Sequence, residues 1–342
     1  MPSPLRVLSL IPCLAAPLAA QAVEGIASVD GAPVGYALVL LVDSTGHEVG
    51  ATLSDIDGRF TLRAPAPGKH RVAVRRVGQR VWLSEPVHLG TAVQPLSLVL
   101  PDQPVRLPDL RPEATGRCRV RPALGVATTA LLDAARTGLG VAEATTRLGA
   151  IHARVETRLR FLDPALVVKS EEHATATDRL GWPFATLPPE SVAVAGFVGP
   201  VQDGARDYYG PDARLLGADW FLDAYCFDLV LPESPGDTLV GVAFQPESSS
   251  PRPDLRGTLW LDRRTLGFLR LEFRWIGLGA WVPNEAAGGD LAFLPLPGGG
   301  LLLGRWWVRV PLADYFGRDP VLVGFLEAAG EVTEVLGAPP AP

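Results

Sequence analysis

Five histidines, His47, His70, His88, His152 and His173, are the material from which a hydrolytic metal centre would have to be built. A catalytic zinc site needs His and Glu at an HxxE or HExxH spacing and a distant third ligand, so that one position stays open for water. No His here is followed by Glu at the HxxE spacing, His152 meeting Glu156 one residue too late, and no HExxH occurs. A GxSxG elbow, a P-loop and a GxGxxG turn are absent as well. Asp55-Ile56-Asp57-Gly58 starts like a calcium loop, but Leu53 and Ala64 stand where further ligands are needed. A β-turn is the simpler reading. Asp219, Asp223 and Asp228 lie near Trp220 and offer the paired carboxylates of a glycosidase. Spacing alone brings no two of them together, and surface or capping acids are the simpler reading. No catalytic residue, metal or cofactor is expected.

Binding chemistry is better represented. Seven of the eight Trp lie beyond residue 118. In Arg305-Trp306-Trp307-Val308-Arg309-Val310, alternation puts Trp306, Val308 and Val310 on one face. Trp307 then shares the polar face with Arg305 and Arg309, as a cation–π stack or a platform for a sugar or acyl chain, with plain packing as the simpler reading. Tyr208-Tyr209-Gly210-Pro211-Asp212 is an ordered loop that offers a second binding surface. Arg154, Arg158, Arg160, Arg270, Arg274, Arg305 and Arg309 all fall on predicted polar faces. If their strands are neighbours, they form an Arg-rich face, either solvated with interleaved Glu or turned to an anionic lipid or polysaccharide. The net charge of −6 argues against a nucleic-acid partner.

These residues are positioned by a chain with 36 Gly and 33 Pro among 342 residues. Both residues interrupt helices and strands, so a long helical bundle or coiled coil is excluded and short strands with many turns remain. With 47% hydrophobic and 20% charged residues the chain is globular. Residues 1–22 read as an export signal: Arg6, an apolar stretch, then Ala20-Gln21-Ala22 as the cleavage pattern. Pro12 disfavours lipidation at Cys13. No later run is long enough for a transmembrane helix. Export leaves Cys118 and Cys226, which are expected to pair as a disulfide in an oxidising compartment. Two separately buried thiols are the alternative.

In residues 23–100, seven strands fit at 23–29, 36–42, 48–54, 59–63, 69–77, 80–83 and 93–100, separated by turns. The run at 36–42 is apolar on both faces and should be central. Gly25, Asp30-Gly31-Ala32-Pro33-Val34, Ser54-Asp55-Ile56-Asp57-Gly58-Arg59-Phe60 and Pro67-Gly68-Lys69-His70-Arg71-Val72 resemble the carboxypeptidase regulatory-like domain, that of carboxypeptidase D. The resemblance implies a prealbumin-like sandwich of the carbohydrate-binding-like fold class, an appendage without catalysis of its own. Pro101, Pro104, Pro108 and Pro112 make 101–117 a stiff linker.

Residues 118–342 form a β-rich domain with a helix at 123–148, which Gly138 and Gly140 should weaken or split. Strands alternate at 154–161, 255–262, 266–276, 290–296 and 301–310, as an antiparallel sheet with one wet face does. The order resembles the half-barrels of periplasmic lipoprotein carriers. The terminus at 337–342 lacks the aromatic end of an outer-membrane barrel.

The expected whole is mainly β: a sandwich, a linker and a curved sheet or half-barrel with one packed helix. Its expected role is non-catalytic binding or scaffolding in the periplasm or outer envelope, with a lipid, glycan or protein as ligand. A carbohydrate-binding module and a hydrolase with an unfamiliar site in 118–342 are the competing readings. Free-thiol labelling of the unreduced, exported protein should detect no thiol; two labelled cysteines would refute the bridge.

Overall fold

The computed structural model describes residues 21–90, 92–105, 125–149, 151–179, 181–202, 204–231, 238–247, 252–316 and 319–337. The expected signal up to residue 20 and most of the expected linker, with Cys118, lie outside them.

Nine strands come first: β1 (Gln21–Val29), β2 (Ala32–Pro33), β3 (Leu38–Val42), β4 (Glu48–Leu53), β5 (Arg59–Ala64), β6 (Gly68–Arg75), β7 (Trp82–Leu83), β8 (Val87–Leu89) and β9 (Gln94–Val99). All seven expected strands are present, and β2 and β8 are short additions. β1 begins at Gln21, two residues before the expected mature terminus, because Gln21 and Ala22 pair with Ala64 and Arg63. One sheet has the order β2-β1-β5, with β9 parallel to β1; the other runs β4-β3-β6-β7, with β8 on β6. Val23, Phe60, Leu62, Val39, Leu41, Val72 and Val74 fill the space between them.

The second part opens with α1 (Val126–Arg147), followed by β10 (His152–Leu162), β11 (Val168–Arg179), α2 (Pro189–Ala195) and α3 (Asp219–Ala224). Seven strands then complete a meander: β12 (Tyr225–Val230), β13 (Leu239–Pro246), β14 (Asp254–Asp262), β15 (Phe268–Ile276), β16 (Gly288–Pro295), β17 (Leu301–Phe316) and β18 (Asp319–Gly337). With β10 and β11 they form one open, nine-stranded antiparallel sheet in the order β11-β10-β18-β17-β16-β15-β14-β13-β12. It is not closed into a barrel. Among the described residues no helix is long and apolar enough to cross a membrane.

The two parts share a core. Alternate residues of β3 face opposite ways: Val39 and Leu41 enter the sandwich, while Leu38 and Leu40 join the cluster that contains α1 and the large sheet. This explains why the run is apolar on both faces. Helix α1 is thus covered on two sides. Leu131, Ala135, Leu139 and Ala142 are buried in that cluster, while Ala130, Ala134, Thr137 and Ala144 line a cleft shared with Leu38 and Leu40. Each fully buried Leu contributes roughly 1.5–3 kcal/mol. The expected linker is no free spacer where it is described: Arg80 N–H donates to Gln103 O at 3.1 Å and Val105 N–H to Gly78 O at 3.0 Å.

The helix is unbroken through Gly138 and Gly140, contrary to expectation. A Cβ at Gly138 would overlap Phe268 on β15, so this glycine lets the helix backbone approach the sheet. A Cβ at Gly140 would meet only Ala213 Cβ, at an ordinary 3.5 Å. The two positions therefore respond oppositely to the same change. Gly140→Ala should stabilise by up to ~1 kcal/mol through helix propensity. Gly138→Ala gains the same propensity but overpacks the helix–sheet contact, at about 1–3 kcal/mol. Chemical denaturation of both variants checks this; equal shifts of the same sign would refute it.

Candidate functional site

Pairing in the large sheet aligns the predicted polar-face residues into rows across its strands. One row runs Arg270, Ala292, Arg305, Glu331, Glu156. The next runs Glu272, Asp290, Trp307, Ala329, Arg158, and a third runs Arg274, Gly288, Arg309, Glu327, Arg160, Glu171. The Arg-rich face exists, and acids are interleaved through it. Arg309 donates to Glu327 at 2.6 and 2.8 Å, and Arg160 Nη1 donates to the same carboxylate at 3.3 Å. Glu327 is only 5% exposed, so these two guanidinia compensate a buried charge. Arg160 also donates to Glu171 at 2.9 Å, which holds the Glu171 carboxyl below its usual range. Arg270 donates to Asp290 at 2.9 Å, and Arg154 pairs with Glu334.

Trp307 stands in the middle of these rows. The Arg274 and Arg309 guanidinia lie 5.1 and 5.0 Å from its ring centroid. Burial lowers the Arg274 pKa from its ordinary value. Arg305 is exposed on the adjoining row. Trp306 turns the other way, 9% exposed, against Gly330 of β18, where no Cβ would fit. The predicted split of the Trp pair is therefore correct.

The structure separates the tyrosines from this surface. Tyr208 packs edge-on against Trp275, and burial raises its pKa above the usual phenol value. Tyr209 accepts from Trp275 Nε1 through its carbonyl at 2.9 Å. Trp275 is in the helix-side core, so the loop at 208–212 braces that side of the sheet. Asp55 Oδ1 accepts from the N–H groups of Asp57 and Arg59 at 2.9 and 2.8 Å, a self-contained turn. Asp219 and Asp223 are on α3, whereas Asp228 is on β12 and lines a groove of about 270 Å³ with Glu272 and Glu285, opposite Arg256 and Arg274. Among the described residues no three His, Cys, Asp or Glu stand together as metal ligands. Cys226 is buried at the start of β12.

One feature escapes sequence reading. Glu143 of α1 is 3% exposed, with its pKa raised to about 7, first by burial and then by the charge of Asp212. Its Oε1 accepts Ala213 N–H at 2.8 Å, and its other oxygen accepts from Arg147. Asp212, 1% exposed, accepts Leu215 N–H at 2.8 Å and Arg214 Nη2 at 2.9 Å. Asp212 closes the 212–217 turn on itself, and Glu143 fastens that turn to the helix. Both line or adjoin a cleft of about 930 Å³ between α1 and the β4-β3-β6 sheet. An isolated Glu in a helical run carries no sequence signal for this burial.

No family model matches the chain, and no curated protein matches it. Among solved structures, the crystal structure of BcpA, the major pilin subunit of Bacillus cereus, aligns over 89% of this chain and 95% of that one, with 8% identity and a TM-score of 0.18. At that score the likeness carries no argument.

Because the folded pKa of Glu143 lies above its unfolded value, folding favours the protonated form. The resulting stability is complete below about pH 4.5 and is lost as pH rises through about 7. The loss is on the order of 3 kcal/mol, since one unit corresponds to about 1.4 kcal/mol. Urea midpoints measured across that range should show Glu143→Gln gaining on wild type as pH rises. A pH-independent difference would refute the assignment.

Proposed function

We propose that this chain is an exported, non-catalytic protein of the cell envelope with a binding or scaffolding role. Its binding surface is the solvent face of the nine-stranded sheet around Trp307. The observation that carries this reading is the Trp307 ring held between Arg274 and Arg309, with Arg305 exposed beside it. Such a group presents an apolar plate inside a cationic frame. An anionic lipid, an acidic glycan or an acidic protein segment is its natural complement. The sequence of residues 1–22 supports export, and the sandwich of residues 21–100 is compatible with a carboxypeptidase regulatory-like appendage. A Cys118–Cys226 bridge would tie the segment before α1 to β12, with roughly 4–5 kcal/mol as the chain-entropy ceiling.

A hydrolase is the second reading, and Glu143 is the observation that favours it: an acid titrating near neutrality beside Asp212. Against it, each of the four carboxylate oxygens already accepts a hydrogen bond, from the turn's backbone, from Arg214 or from Arg147 of α1.

Retention of the exported protein on phosphatidylglycerol vesicles and on an acidic polysaccharide, across a salt series, tests the binding surface. Retention of at least one should fall as salt rises. The double variant Trp307→Ala/Arg305→Gln should weaken it by roughly 5–30-fold, from two contributions of about 0.5–1 kcal/mol each. Unchanged retention in the double variant would overturn the proposal.

A further inference from the structure

The geometry points to a membrane contact: the hairpin loop between β10 and β11 enters the acyl layer of a lipid bilayer. Pro164, Ala165, Leu166, Val167 and Val168 run consecutively through this loop, and all of them are exposed. Tight turns ordinarily draw on Gly, Asn, Asp and Ser instead. Successive residues of an extended segment point to opposite sides, so an uninterrupted exposed run presents apolar surface all round the tip. Leu166 is at φ 64°, where Gly or Asn would be less strained, yet its side chain is 40% exposed. An apolar side chain is thus held outward at a strained position, which is where function is to be sought. Beside the loop, β17 and β18 continue past Arg309, where pairing with β16 ends, as far as Phe316 and Asp319. Val321 and Val323 are exposed on that extension. Leu162 pairs with Phe325, so the two hairpins end at the same side of the sheet.

The loop backbone selects lipid over a protein partner. Asp163 N–H donates to Val167 O at 2.9 Å, and Leu166 N–H donates to Asp163 O at 2.9 Å. Asp163 Oδ1 accepts from Ala165 N–H and Val167 N–H, both at 3.0 Å. Pro164 has no N–H to satisfy. Every N–H from 163 to 167 is therefore bonded inside the loop, as backbone entering hydrocarbon requires. The charge of Asp163 is met by Lys169 Nζ at 2.9 Å. A protein partner would find no free donor here and no single face to cover, whereas a fluid acyl layer surrounds the tip. Lys169, at the base of the loop, is placed to remain among the headgroups. The loop is set apart from the Trp307 surface: Arg158, in the Trp307 row, precedes Leu162 by four residues along β10. The envelope reading supplies a bilayer, but the contact stands on the loop alone.

The experiment is flotation of the exported full-length protein with neutral phosphatidylcholine vesicles at low and high salt. Binding that persists at high salt is expected, because salt screens charges and not apolar insertion. Leu166→Asn/Val167→Ser should lower the partition coefficient by roughly tenfold or more. Asn suits the positive φ at 166, so thermal unfolding of Leu166→Asn alone should show no loss of stability while its vesicle binding falls. Trp307→Ala/Arg305→Gln should leave binding to neutral vesicles unchanged, so the loop and the Trp307 surface fail separately. No flotation, flotation abolished by salt, or equal partition of Leu166→Asn/Val167→Ser and wild type would each overturn the loop as a membrane contact. A dimer in sedimentation that dissociates in this variant, with no vesicle binding, would assign the loop to a second copy and overturn it too.

Discussion

The constraint on which this structure rests is that α1 must be covered on two sides at once. A helix between two sheets needs an apolar surface wider than the usual single stripe. It also needs small residues, so that both sheets can come close. The sequence of α1 meets both demands with Ala, Thr and Gly between its leucines. Even its buried hydroxyls are satisfied within the helix, Thr145 donating to Val141 O at 2.8 Å and Thr146 to Ala142 O at 2.9 Å. The sandwich supplies one cover and the nine-stranded sheet the other. The layers therefore follow as sheet, sheet, helix, sheet.

Much of this was readable beforehand, and the reasons are specific. Strands such as β15 and β17 alternate so regularly that face and register follow from their residue types. The run containing β3 announced burial on both faces. The interleaving of acids among the arginines also depends only on which strands are neighbours, and hairpin turns settle most of that. What was not readable depends on contacts between distant segments. Gly138 looked like a helix breaker because propensity counts only local cost, whereas its use is the approach to Phe268. Residues 319–337 pass unnoticed in the sequence, although β18 is the strand that joins the hairpin of β10 and β11 to the rest of the sheet. Its residues are mixed in polarity because both faces are only partly covered.

The same distinction applies to the candidate sites. Trp307 was found because Arg305 and Arg309 are two residues away in sequence, whereas Arg274 reaches it from β15, two strands across the meander. Glu143 and the cleft were missed because they arise where α1, the 212–217 turn and the β4-β3-β6 sheet meet, three segments far apart in the chain. Tyr208 and Tyr209 illustrate the converse. Adjacent aromatics suggest a binding loop, but the fold uses them to hold Trp275.

The hairpin between β16 and β17 has an unusual position. Its Gly298, at φ 78°, sits so close to Gly35 that a side chain would collide with the backbone there, and Gly300 crowds Tyr36, itself at φ 57°. Val77 N–H donates to Gly299 O at 3.3 Å. Surface hairpins ordinarily tolerate insertions as homologous sequences diverge. This one serves as a spacer of fixed thickness, and lengthening it would pry the sandwich away from the helix. In any lineage that keeps this fold, the length of that loop should drift far less than its solvent-facing location suggests.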